Sequence, residues 1–128
     1  MAARLAPLAL ALCLAACGSG EEGEVRGAVN RLYDGFADRD AKRVCESITE
    51  ERRREIAGRM STCSQAMGIA MGLVGEKLTE VGDAEVEKVE VDGRRATATV
   101  RSDGRSSRLG LSREGGEWKV ADFALDQL

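Results

Sequence analysis

Val89-Glu90-Val91-Asp92-Gly93-Arg94-Arg95-Ala96-Thr97-Ala98-Thr99-Val100 alternates apolar and polar side chains on both sides of an Asp-Gly pair. Period-two alternation places every second side chain on one face of a strand, and Asp-Gly favours the tight turn that joins two such strands. The same signal recurs downstream. Asp103-Gly104 follows Arg101, Leu109 and Leu111 alternate, Gly115-Gly116 punctuates, and Trp118 and Val120 open a last run to Phe123. Three turn pairs between alternating runs predict a four-stranded antiparallel meander with one apolar face and one face in water. Trp118 and Val120 are out of phase with Phe123 and Leu125, which predicts a bulge near Ala121-Asp122.

Upstream of this sheet the period changes to that of helices. Val25, Val29, Leu32, Tyr33 and Phe36 form one apolar stripe over residues 24–37, with Asp34 and Asp38 on the wet face. Asp40 is a candidate N-cap for a short helix over 41–48, with Val44, Cys45 and Ile48 inward. Residues 49–60 carry dense mixed charge, the pattern of a solvated helix face, with Ile56 and Met60 as its only anchors. Thr62-Cys63-Ser64-Gln65 matches a capping box. The helix after it, running to about Leu78, is apolar nearly all round and is expected to be buried on most sides. Gly68 and Gly72 have the spacing of a membrane helix-pairing motif, but the run is too short to span, and close helix-on-sheet packing is expected instead.

The front of the chain carries an address. Residues 5–14 are almost wholly Ala and Leu, preceded by Arg4 and broken by Pro7 and Cys13. This run is too short to cross a bilayer and reads as a secretory leader. Leu14-Ala15-Ala16-Cys17 resembles the lipobox of bacterial lipoproteins. The resemblance implies export, cleavage before Cys17 and acylation there, so that residues 1–16 are a signal peptide and the protein is anchored on the extracytoplasmic face of a membrane. Several buried acyl chains hold a protein to a bilayer where one binds only marginally. Gly18-Ser19-Gly20-Glu21-Glu22-Gly23-Glu24 then reads as a flexible acidic tether completing a 17–24 segment, and residues 25–128 as one domain.

Composition limits what this domain does. The chain is 43% hydrophobic and 32% charged with net charge −3, a soluble globular balance that argues against nucleic acid as a partner. With no His in the chain and Cys17 committed to lipid, a metal site is disfavoured, and no cofactor is expected. Cys45 and Cys63 are an even pair in an oxidising setting and are expected to be bonded to each other. Closing a loop of that size contributes about 3 kcal/mol.

Helices followed by a curved antiparallel sheet in about a hundred residues resemble the NTF2-like superfamily. The matching residues are Val29, Tyr33-Asp34, Phe36-Ala37 and Asp40-Ala41 at one end, and Val89, Val91, Gly93, Ala96 and Arg113-Glu114-Gly115-Gly116-x-Trp118-Lys119-Val120 at the other. The resemblance implies an α+β cone whose sheet curls around a pocket closed on one side by helices, and pairing of two copies through the open sheet. Tyr33, Phe36 and Trp118 are the candidate pocket residues, and the small Ala96, Ala98, Gly110 and Ser112 leave room inside. The enzymes of the superfamily set Tyr, Asp, His or Arg inside the cone. The steroid-isomerase tyrosine falls on Leu32, the stretch for the general base is Ile56-Ala57-Gly58, and Asp38-Arg39-Asp40 reads as a turn and a cap. No catalytic residue is assigned. The expected function is a non-catalytic envelope lipoprotein binding a small apolar ligand or an envelope protein. The alternatives are an isomerase- or dehydratase-like enzyme using Tyr33 as proton donor, and a structural spacer.

Overall fold

The computed structural model describes the backbone at residues 9–75, 84–102 and 104–123, and side chains from residue 20 onward within those segments. Four helices precede four strands: α1 (Ala9–Ala37), α2 (Ala41–Glu46), α3 (Glu50–Ala57), α4 (Cys63–Val74), β1 (Glu85–Asp92), β2 (Arg95–Ser102), β3 (Arg105–Glu114) and β4 (Glu117–Asp122). The sheet is an antiparallel meander in the order β1-β2-β3-β4, and the fold class is α+β.

The turns form where the glycines permit them. Gly115 and Gly116 both take positive φ, 56° and 82°, between the paired Glu114 and Glu117. That is the left-handed pair a two-residue hairpin of this twist demands. Val89, Ala96, Ala98, Val100, Leu109, Leu111, Trp118 and Val120 form the buried face, as their alternation predicts. The bulge expected near Ala121-Asp122 is present: Gly110 pairs with Asp122 and Leu111 with Val120, leaving Ala121 as the extra residue. A second irregularity, at Glu87 between Val86 and Lys88, has no counterpart in the apolar pattern.

Helix α1 lays its stripe on this face. Val25, Val29, Leu32 and Phe36 are each 0% exposed. The helix also reaches farther back than the stripe does. It runs unbroken through residues 18–24, expected as a flexible tether, to Ala9. Glycines at these positions weaken a helix by up to ~1 kcal/mol each. Arg113 opposes that cost, with Nη1 3.3 Å from Glu21 and Nη2 3.6 Å from Glu24.

The connecting helices are held by caps. Asp40 accepts from the Arg43 N–H at 3.1 Å, and Thr62 from the Gln65 N–H at 3.2 Å, both as expected. Thr49 caps α3 by accepting from the Arg52 N–H at 3.3 Å. Helix α2 ends at Glu46 rather than Ile48, because the chain turns to meet the sheet: Val120 N–H donates to Ser47 O at 2.9 Å and Thr49 N–H to Val120 O at 3.0 Å. A short parallel bridge between Ile48 and Val120 thus covers the outer edge of β4.

Two expectations about the helical half are corrected. Met60 does not anchor the charged segment: it is 44% exposed, and α3 has no buried residue, Ile56 being half-buried. Helix α4 is not buried on most sides. Cys63, Met67 and Met71 face inward, while Ile69 is 53% and Leu73 84% exposed. Among the described residues nothing approaches the Cβ positions of Gly68 or Gly72 within 4 Å, so no close packing at these glycines is seen there. The reason is position: among the described residues α4 packs mainly on α2 and α3, so its Cys63, Met67 and Met71 side meets the core while Ile69 and Leu73 do not. It ends at Val74 with Gly75 at positive φ, and the expected continuation to Leu78 lies outside the described residues.

Candidate functional site

Cys45 and Cys63 are joined by a disulfide, with Cα atoms 6.1 Å apart, tying α2 to the first residue of α4. Arg53 reaches back to donate from Nη1 to Cys45 O at 3.4 Å. Cys17, the candidate lipidation residue, falls within the backbone span of α1, in the part whose side chains lie outside the described set.

The three candidate pocket residues are all brought to the helix–sheet interface. Phe36 is 0% exposed, Trp118 2% and Tyr33 7%. Phe36 meets Phe123 edge-on, with ring centroids 6.1 Å apart and planes at 62°, a favourable aromatic geometry. Leu32, Ile48, Met67 and Leu111 occupy the same interior and are fully buried. The small residues Ala96 and Ala98 are buried in the same core cluster as the α1 stripe. Burial raises the Tyr33 hydroxyl above the usual range, because desolvation penalises the phenolate. That moves Tyr33 away from proton transfer near neutral pH.

Trp118 has one edge at a cleft of about 260 Å³ between α1 and the β3–β4 turn, lined by Glu24, Gly27, Arg31, Gly116 and Glu117. The cleft is smaller than ordinary small-molecule pockets, about 300–1,000 Å³, and half of its lining residues, Glu24, Arg31 and Glu117, are charged where theirs are mostly apolar. The indole Nε1 is buried with no hydrogen-bond partner among the described residues. Arg113 stacks over the ring at 5.7 Å, which links Trp118 to Glu21 and Glu24 of α1. A second depression, at the two hairpin tips, is lined by Gly93, Arg94, Arg113, Gly115 and Gly116. A third lies on the outer sheet face among Lys88, Glu90, Thr97, Thr99, Ser106 and Arg108. There the hydrogen bond and charge of Lys88 hold the Glu90 carboxyl below its ordinary range. Among the described residues no group of three or more His, Cys, Asp or Glu gathers as a metal site.

Two interactions escaped the sequence pattern. Arg52 lies over the Phe123 ring at 5.2 Å and donates from Nη2 to Phe123 O at 2.8 Å, sealing the end of the sheet. Arg26 donates to Val86 O at 2.6 Å and ties α1 to β1. Each joins residues 60 or more apart, and the charges gave no signal because their partners are backbone or ring atoms.

No helix among the described residues is long and apolar enough to cross a membrane. No family model matches the chain, and no curated protein matches it. Among solved structures the chain is similar to a protein from Campylobacter jejuni described as "Putative NTF2-like transpeptidase", with 15% sequence identity and a TM-score of 0.45 over 80% of this chain and 98% of that one.

Proposed function

We propose that this chain is an exported lipoprotein, anchored through Cys17 and carrying an NTF2-like module without catalytic machinery. The module works by binding an envelope protein at its surface. The observation that carries the binding mode is the close packing of the core among the described residues. Trp118 at 2% exposure and Phe36, Leu32 and Met67 at 0% belong to one buried cluster at the helix–sheet interface, where a small apolar ligand would have to compete with them. Surface contact is therefore favoured over an internal ligand. The enzyme alternative draws no support from Tyr33, whose hydroxyl is shifted away from neutrality. The anchor rests on Leu14-Ala15-Ala16-Cys17 and the short apolar run before it.

Replacing Cys17 with Ser tests the anchor. The unmodified chain is expected to sediment with membranes and to yield an N-terminal peptide beginning at an acylated Cys17. Cys17→Ser is expected to appear in the soluble extracytoplasmic fraction. A substituted chain that still sediments, or a mature protein retaining residues 1–16 without lipid, refutes the anchor. The binding reading is tested by affinity capture of the anchored protein from detergent extract. An extract enriched only in a bound small molecule argues against it.

A further inference from the structure

We propose that residues 20–24 form a strap, helical while Arg113 clasps Glu21 and Glu24, that holds the folded module close over its membrane anchor with the β3–β4 turn toward the bilayer. The composition of this stretch does not favour a helix. Gly18-Ser19-Gly20-Glu21-Glu22-Gly23-Glu24 places three glycines within seven positions, and glycine gives up more backbone freedom in a helix than any other residue. Helix α1 is nevertheless continuous through it.

The compensating contacts converge on one side chain. Arg113 Nη1 lies 3.3 Å from Glu21 and Nη2 3.6 Å from Glu24, and the guanidinium covers the Trp118 ring at 5.7 Å. Exposed ion pairs are individually weak, in part because two long side chains must be ordered to make them. Here part of that ordering is already done. Trp118 is 2% exposed and fixed in the core, and the strand register sets Arg113 opposite it. Stacking thus holds the planar fork in place for both carboxylates. Glu21 and Glu24 are three residues apart, a spacing that a helix brings to one side. The clasp and the helical form of the strap therefore support each other.

The clasp sets the length of the leash. Cys17 is four residues from Glu21 and eight from Val25, the first fully buried residue of the α1 stripe. Extended chain covers at most about 14 Å over four residues and about 28 Å over eight. With the clasp closed, the β3–β4 turn stays within the shorter reach of the acylated residue. With it open, the module gains about twice the reach and turns freely. Salt favours the open form, because exposed pairs weaken as ionic strength rises. The membrane consequence rests on the Cys17 anchor, and the strap itself does not.

The strap is tested by amide exchange in the full-length protein extracted in detergent. Glu21→Gln and Glu24→Gln, made together, leave Arg113 on Trp118. They are expected to speed exchange across residues 20–24 about fivefold. Exchange in β2 and β3 is expected to be unchanged, which separates loss of the clasp from loss of fold. Arg113→Gln is expected to speed the same amides equally, and all three changes together to add nothing further. In membranes, the label site is Arg94→Cys, whose backbone O accepts from the Arg113 N–H at 2.9 Å. A fluorophore there is expected to transfer energy to headgroup-labelled lipid more strongly than one on Arg105→Cys in the β2–β3 turn. The paired Glu→Gln changes are expected to erase that difference. Exchange across residues 20–24 that is already fast in the native chain, or that neither variant alters, overturns the strap. Equal transfer from positions 94 and 105 in membrane-retained protein overturns the orientation. Clasp-dependent exchange in a protein that washes off membranes overturns the anchor and keeps the strap.

Discussion

Tyr33 shows how much one side chain's surroundings decide. Its place on the α1 stripe was plain from spacing, and its neighbours were not. In the core its hydroxyl is desolvated and titrates above its ordinary value of 10.0. A raised folded-state value means that the native state holds the proton more tightly than the unfolded chain. The stability linked to Tyr33 is therefore intact below pH 10 and falls as pH rises through and beyond it. Denaturation midpoints of the native chain and Tyr33→Phe are expected to differ in slope only on the alkaline side. The chain has one Tyr, so phenolate absorbance reads the group directly. A folded-state midpoint at or below 10.0 contradicts the burial argument. Trp118 makes the complementary point. The aromatic type marked it as core, and the stacked Arg113 comes from the strand register, which sets the two residues opposite each other.

Among the secondary elements, the hairpins and caps are local chemistry and were legible as such. Asp40 and Thr62 accept the hydrogen bonds their positions promised. The Thr49 cap is masked in the sequence by the charged run after it, whose density signals solvation rather than a helix start. Thr49→Ala and Thr62→Ala are each expected to cost about 1 kcal/mol, read by chemical denaturation, and Ser at either position restores most of the loss. A neutral Thr→Ala at both sites sinks the capping argument. Helix α4 is where pattern reading failed. An all-round apolar sequence implies all-round burial only where every side has a neighbour. Among the described residues the main neighbours of α4 are α2 and α3. No periodicity within twelve residues reports that.

For the molecule as a unit, the disulfide joins α4 to α2, which packs on α1 and so on the rest of the core. Cys45 and Cys63 are separated by 18 positions. Cross-linking a loop of that length stabilises by about 3 kcal/mol. Cys45→Ser with Cys63→Ser, or treatment with reductant, is therefore expected to lower the melting temperature by about 12–20 °C, measured by calorimetry. An unchanged melting temperature would mean that the helices alone hold α4. Strand alternation, glycine turn pairs and the α1 stripe were enough to set the four-stranded meander and the side of it that the first helix covers, because each is a local rule of backbone geometry repeated along the chain. The Cys45–Cys63 pairing also followed from counting. What awaited three dimensions was where the helical half leaves surface uncovered, how completely the interior is filled, and which arginines bridge distant segments. Those depend on volumes and contacts between parts of the chain far apart in order, and short-range spacing carries no record of them.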